Sequence, residues 1–238
     1  MELPNKENNI FKLKNKIKEA ADVVTLKFYP LSGKSLIFKP GQFVIIYLLG
    51  RDASAQGKAY TITSLLEEEF LSISVKRLGD FSSALCSLKT GESVKITGPF
   101  GNFYPADTMN DIVFLAGGIG ITPFYDVIKS FTGKDAANKK ITLFYSNRTK
   151  ADIVFLKELI NLDKKLPRLK IIFILTRDKN NFADEFERVN VKMIKKYLKN
   201  LNSKHYFICG PIQFVNDLWQ SLKKAGVEES RIKTEAFY

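Results

Sequence analysis

The stretch LAGGIGITPF, Leu115 to Phe124, decides how this chain reads. It follows an apolar run, Ile112 to Ala116, and leads into a segment with helical spacing, Pro123 to Phe131, so it occupies a turn from strand to helix. Gly117, Gly118 and Gly120 let the backbone turn tightly and approach a ligand closely. Thr122 followed by Pro123 reads as a helix cap with proline at the first helical position. A pyrophosphate would meet free amides and the positive end of a helix here. A plain glycine-rich turn would look the same locally, but placement in a strand–helix unit favours a dinucleotide. The motif departs from the GxGxxG fingerprint at its third glycine, where Pro123 stands, and no acid follows the second strand to hold a ribose.

Downstream the same rhythm continues. Apolar strands at Ile141 to Tyr145, Leu169 to Leu175 and Tyr206 to Cys209 alternate with amphipathic helices at Ile153 to Leu162, Val191 to Leu201 and Ile212 to Ala225. Near-continuous apolar strands between such helices predict a doubly wound parallel sheet covered on both faces, with its ligand beyond the C-terminal ends of the strands. Upstream the rhythm is different. Short β-rich segments, Val23 to Tyr29, Phe43 to Leu49, Lys58 to Thr63, Phe70 to Lys76 and Ser93 to Thr97, are separated by turn residues and interrupted by one short helix near Ser82 to Leu88. This predicts a small antiparallel barrel over residues 1–106, followed by an α/β domain over residues 107–238.

With 45% hydrophobic and 26% charged residues among 238, the chain is expected to fold as a globular protein with a substantial core. Its longest apolar runs fall far short of the ~20 residues that span a bilayer, so no membrane span is expected. The polar start MELPNKENN lacks the layout of a secretory signal, which places the protein in the cytoplasm. Two cysteines, Cys86 and Cys209, and one histidine, His205, argue against an intrinsic iron–sulfur cluster, a zinc site or a histidine triad; no metal is expected. The net charge of +12 is spread along the chain, with 14 Lys/Arg against 10 Asp/Glu in residues 1–106 and 23 against 15 in residues 107–238. Its densest stripe, Lys192, Lys195, Lys196 and Lys199, lies at helical spacing opposite Val191, Ile194, Tyr197, Leu198 and Leu201 and reads as a solvated helix face. Nucleic acid is not the expected partner, because no known motif accompanies the charge.

Two further stretches carry chemistry. In KAYTITS, Lys58 to Ser64, and VKRLGDFSSAL, Val75 to Leu85, cations at Lys58, Lys76 and Arg77 flank a turn where Gly79 and Ser82 open a helix able to cradle a second phosphate group. As plain structure the same residues are strand, turn and helix, with Tyr60 in the core and Ser82 or Ser83 as a cap.

Taken in order, PGQF (Pro40 to Phe43), KAYTITS, GDFSSAL, GPFGNF (Gly98 to Phe103), AGGIGITPF, YSNRT (Tyr145 to Thr149), CGP (Cys209 to Pro211) and EAFY (Glu235 to Tyr238) resemble the ferredoxin-NADP(+) reductase family from about Phe11 onward. The resemblance implies an FAD-binding barrel followed by a domain for NAD(P)H, the two ligands meeting in a cleft. It implies that Lys58, Ala59, Tyr60 and Thr61 line the flavin, with Tyr60 against the ring and the Thr61 hydroxyl near N5, and that Val75, Lys76, Gly79, Phe81, Ser82 and Ser83 wrap the FAD pyrophosphate. The family usually has arginine where Lys58 stands, and lysine loses the two-pronged geometry. In the second domain it implies that Gly118, Gly120, Thr122, Ser146 and Arg148 hold the nicotinamide dinucleotide, while Cys209, Gly210 and Pro211 face its ring. Glu235, Phe237 and Tyr238 match an acidic and aromatic tail that covers the flavin in many relatives and is a candidate gate for the nicotinamide; as plain structure the same residues are a C-terminal strand. Thr61, Cys209 and Glu235 are the residues placed at the reacting rings, Cys209 without a nucleophilic role.

The activity so implied is a flavoprotein reductase that takes a hydride from NAD(P)H and passes electrons to a separate acceptor. An acidic carrier, ferredoxin or flavodoxin, is the leading acceptor, steered by the basic surface. The alternatives are an oxygenase or another multi-protein redox system, and a flavin-binding sensor or assembly protein. Arg148 leans the donor toward NADPH.

Overall fold

The structure, a computed structural model, describes residues 9–50, 56–131, 139–179 and 181–237. The chain divides into two compact units, Met1–Asn102 and Phe103–Tyr238. The division falls before the expected 106/107 boundary because Phe103 is buried in the second unit, its ring 5.8 Å from Phe124 and 5.6 Å from Phe207.

The first unit holds β1 (Ile10–Lys18), β2 (Val23–Pro30), β3 (Phe43–Leu48), β4 (Lys58–Thr61), β5 (Leu71–Lys76), α1 (Asp80–Ser87) and β6 (Ser93–Phe100). The strands form one antiparallel sheet in the order β4-β3-β6-β1-β2-β5. Its two edges meet through a bridge between Ile62 and Ile73, so the sheet curls on itself. Alternate residues of each strand point inward; Phe11, Leu13, Leu26, Phe28, Val44 and Ile46 fill the interior, and Leu85 and Cys86 of α1 join the same core. The expected strand at Lys58 to Thr63 ends at Thr61, because Ile62 and Thr63 already turn to meet β5. Strand β1 was not among the expected ones.

The second unit alternates β7 (Asp111–Gly117), α2 (Thr122–Ser130), β8 (Lys140–Asn147), α3 (Leu156–Lys165), β9 (Leu169–Leu175), α4 (Val191–Tyr197), β10 (His205–Pro211), α5 (Ile212–Lys224) and β11 (Ile232–Phe237). All the strands are parallel, in the order β11-β10-β7-β8-β9. From β7 the chain winds outward through β8 to β9, then returns to β10 on the other side, which is the doubly wound arrangement. One face of the sheet, with Val113, Leu115, Phe144, Ile172 and Ile208, packs on Met193 and Ile194 of α4 and on Val215, Leu218 and Leu222 of α5. The other face carries Phe114 and Phe207, with Phe124 of α2 stacked on Phe114 at 4.5 Å. Burial on both faces explains why these strands read as unbroken apolar runs.

Two helices differ from expectation at their ends. The helix expected from Ile153 starts at Leu156, because Thr149 and Asp152 form a capping box around a 3-10 turn and Phe155 takes φ 60° before the helix begins. The helix expected to reach Leu201 stops at Tyr197, and Asn200 at φ 53° turns the chain into a second 3-10 turn. The lysine stripe is therefore helical only through Lys196, which pairs with Glu185 at 2.6 Å; Lys199 lies beyond.

Candidate functional site

In a doubly wound sheet the ligand crevice lies where the winding reverses, at the C-terminal ends of the two neighbouring strands. Here those strands are β7 and β10, and the residues at their ends are the glycine turn and CGP. The turn from Gly118 to Ile121 is a 3-10 helix that runs directly into α2. Thr122 is consequently the first helical residue and is buried, with Ile121 at the cap and Pro123 second, so the expected threonine cap is corrected: a continuous helical entry leaves no capping position for it. Glycine is required for two different reasons. A β-carbon on Gly120 would lie 2.3 Å from the Cys209 carbonyl oxygen and 2.8 Å from the Gly210 nitrogen, so the turn rests on the β10 backbone. Gly118 has φ 56° and open space where a β-carbon would project, the kind of cradle a pyrophosphate can fill.

The strands on either side bring the remaining residues to this end of the sheet. Ser146 stands in register with Gly117, and Arg148 follows, exposed, its carbonyl accepting from the Arg177 N–H at 2.8 Å. Asn147, between them, is buried, and its side-chain amide meets no partner among the described residues; the sequence reading passed over it. On the other side Glu235 of β11 stands in register with Cys209, Ala236 with Gly210 and Phe237 with Pro211. The expected tail is thus, through Phe237, an edge strand hydrogen-bonded to β10; Tyr238 lies outside the described residues. Burial raises the Glu235 carboxyl to about 7. Burial first, and then the charge of Glu235, pushes the Cys209 thiol up, so it stays protonated and unreactive.

In the barrel, Lys58 and Ala59 are exposed opposite Ile46 and Ile45, and Tyr60 and Thr61 are half-buried opposite Val44 and Phe43. The Tyr60 ring stacks on Phe81 at 6.4 Å, and burial pushes its phenol up. Val75 is fully buried; Lys76 is exposed and pairs with Asp22 at 3.2 Å, a partner no local pattern announced. α1 begins after Gly79, whose φ is 83°. Ser82 is the third helical residue rather than the cap. Its hydroxyl accepts from the Leu78 N–H at 2.7 Å and donates to the Gly79 carbonyl at 3.1 Å, pinning the turn before the helix. Ser83 N–H donates to the same carbonyl at 3.1 Å. The first amides of α1 thus point out of a fixed glycine turn beside Lys76 and Arg77, which fits a phosphate group, while Asp80 in the first turn opposes it.

A curled antiparallel sheet whose helix entry fits a phosphate group, followed by a doubly wound sheet with a glycine turn at its switch point, is the architecture of a flavin-binding domain and a nicotinamide-dinucleotide-binding domain. Comparison with known proteins agrees. The chain matches the oxidoreductase FAD-binding domain over residues 10–104 and the oxidoreductase NAD-binding domain over residues 114–220. It is 31% identical over 232 residues to a glycine betaine monooxygenase reductase subunit of Chromohalobacter salexigens, covering 93% of this chain and 62% of that protein. Among solved structures, the cytochrome b5 reductase domain of Ulva prolifera nitrate reductase superposes with a TM-score of 0.84 at 26% identity, over 98% of this chain and 99% of that one. A ferredoxin-NADP+ reductase from Plasmodium falciparum shares the fold, with a TM-score of 0.77 at 22% identity over 97% and 96% of the two chains. The chain carries an oxidoreductase FAD-binding domain followed by an oxidoreductase NAD-binding domain, and it spans 62% of the length of the glycine betaine monooxygenase reductase subunit it matches. No described helix is long and apolar enough to cross a membrane.

Proposed function

We propose that this protein takes electrons from NAD(P)H onto FAD and delivers them to a separate protein acceptor. The observation that carries this is the switch-point turn, where Gly120 rests on the Cys209–Gly210 backbone and Gly118 leaves an open cradle at the start of α2. When bound, the nicotinamide dinucleotide would supply hydride chemistry and the flavin the means of passing electrons on one at a time. The chain's own part is to bind, orient and hold protons. Gly118, Gly120 and the entry to α2 hold the dinucleotide pyrophosphate, with Ser146 and Arg148 toward its adenosine and Cys209, Gly210 and Pro211 toward its nicotinamide. Gly79, Phe81, Ser82, Ser83 and Lys76 hold the FAD pyrophosphate, with Tyr60 and Thr61 along the ring. Glu235, titrating about 7, is suited to take or release a proton at its carboxyl near neutral pH.

The acceptor we propose is an acidic carrier, ferredoxin or flavodoxin, supported by the net charge of +12. An oxygenase component is the second reading, favoured by the relatives named as reductase components of glycine betaine and 3-ketosteroid monooxygenases. A cytoplasmic location belongs to the same reading, supported by two buried free thiols, Cys86 and Cys209. Purified protein loaded with FAD should be yellow, and anaerobic NADH or NADPH should bleach it; protein that fails to take up FAD overturns the proposal. Arg148 is proposed to favour NADPH through its 2′-phosphate, so Arg148→Ala should raise KM for NADPH roughly tenfold and KM for NADH little. An equal rise for both donors removes that assignment.

A further inference from the structure

On the side of the second sheet that α4 and α5 cover, β7 presents Val113, Leu115 and then Gly117, and β10 presents Tyr206, Ile208 and then Gly210. Ile208 stands in register with Leu115, so the two glycines are the next pair on that side and lie at the strand ends that form the switch point. Neither is glycine for the sake of its own backbone: Gly117 has φ −112° and ψ 110°, and Gly210 lies outside the positive-φ region. A neighbour excludes the side chain instead. A β-carbon on Gly210 would lie 2.8 Å from Phe214 Cδ1, and one on Gly117 would lie 3.2 Å from the same atom and 3.3 Å from Phe214 Cγ. One ring, from the first turn of α5, thus fills the space that both strands leave. Phe214 is half-buried and stands one turn before the buried Leu218.

Filling that space does not by itself call for this arrangement, because small side chains at 117 and 210 with a shorter one at 214 would conserve volume. What the ring adds is a rigid stop with few rotatable bonds. Only Ile212 and Gln213 separate Phe214 from Pro211, so a shift of the ring passes to the backbone where β10 turns into α5. The Pro211 ring closes the same gap, its Cδ 3.2 Å from where a Gly117 β-carbon would stand. A β-carbon on Gly210 would lie 3.2 Å from Gly117 Cα, so the two strand ends approach with no side chain between them. From the α2 side, Gly120 rests on the Cys209 carbonyl. The segment Cys209 to Pro211 is therefore clasped between the glycine turn and the first turn of α5, and Phe214 is the one large side chain in the clasp.

We propose that Phe214 is a positioning residue: through Gly117 and Gly210 it fixes the backbone of Cys209 to Pro211, and with it the angle at which the nicotinamide is presented. The inference deepens the reductase reading and rests on it. The test uses the FAD-loaded protein and reads the limiting rate of bleaching by NAD(P)H, the melting temperature, and the affinity for ADP-ribose or its 2′-phosphate, the two dinucleotides without their nicotinamide. Phe214→Ala should lower the limiting rate about tenfold or more and leave the ADP-ribose affinities within about twofold of wild type, because misplacement at the reacting end costs rate rather than affinity at the far end. Phe214→Leu should show an intermediate loss and covers the case in which the alanine variant fails to fold. Gly210→Ala drives a methyl into the ring and should lower the limiting rate and, by about 5 °C, the melting temperature. In the Phe214→Ala background the same methyl enters vacated space and should cost little of either. A limiting rate unchanged in both Phe214 variants, a rate that falls together with ADP-ribose affinity, or additive losses from Gly210→Ala and Phe214→Ala each overturn the positioning role and leave the reductase reading intact. Wild-type protein that NAD(P)H does not bleach overturns that reading and this inference with it.

Discussion

A methyl group at position 120 would collide with backbone, at 2.3 Å from the Cys209 oxygen and 2.6 Å from its carbon, and neither atom can swing aside as a side chain would. Gly120→Ala should therefore force the turn off β10, costing about 2–3 kcal/mol of stability and most of the nicotinamide affinity. Gly118→Ala meets no atom within 4 Å and has only φ 56° to oppose it, so its cost should be about 1 kcal/mol. Thermal melts and bleaching rates of the two variants check the order; equal losses would mean that the contact with Cys209 is not what fixes the turn. Glu235 gives a pH prediction at the same scale. Burial raises its carboxyl from the usual 4.5 to about 7, so between those values the folded protein holds a proton that the unfolded chain has released. Stability from this group is present below about pH 4.5 and is lost as pH rises through 7. Glu235→Gln should remove that loss and melt higher than wild type above pH 7, an effect on the order of 1 kcal/mol because water screens a partly buried carboxyl. The variant should also lose any inflection near 7 in the pH profile of kcat; an unchanged profile dissociates Glu235 from proton handling.

At the level of elements, α1 is set by the chain that enters it. Ser82 holds both sides of the glycine hinge through Leu78 and Gly79, whereas Ser87 in the last turn only bonds the Ser83 carbonyl at 2.7 Å from an exposed position. Ser82→Ala should cost about 1–2 kcal/mol and weaken FAD binding severalfold, because the amides aimed at the phosphate lose their fixed direction. Ser87→Ala should leave FAD affinity unchanged; isothermal titration with FAD distinguishes the two. The same scale shows what the sequence could reveal. β7, β8 and β9 were legible because burial on both faces leaves an unbroken apolar run, and the glycine turn because only glycine meets both of its constraints. β1 was not, since after Phe11 and Leu13 its alternation dissolves into five exposed residues, Lys14 to Lys18. β11 was read as a tail because IKTEAF pairs along one edge only and buries just Ile232. Ser82 and Thr122 were placed as caps because cap residues are recognised by type, while their positions depend on where the preceding turn closes. Asp22 and Asn147 carried no local signal; Asp22 is paired by Lys76, distant in sequence, and the buried side chain of Asn147 meets no partner among the described residues.

Over the whole molecule the two units have separate cores, and each carries one of the proposed phosphate cradles: the α1 entry in the first, the α2 entry in the second. Binding stabilises whatever must be folded for the site to exist, so each ligand should protect the unit that holds its cradle. Hydrogen exchange read by mass spectrometry can assign this segment by segment. At about 100 times its Kd, FAD contributes roughly 2.7 kcal/mol, which should slow exchange about a hundredfold in β4, β5 and α1, where opening is governed by unfolding of the first unit. NADP+ should do the same for β7, α2 and β10 and leave β4 and β5 near their free rates. A second protection pattern follows from the sheet: β11, as an edge strand, should gain from NADP+ only if the register of Glu235 with Cys209 persists in the bound state. Faster exchange of β11 on adding NADP+ would show that this strand yields to the nicotinamide and that the end of the chain serves as the gate expected from its aromatic residues. Unchanged or slower exchange would fix β11 as a permanent part of the sheet.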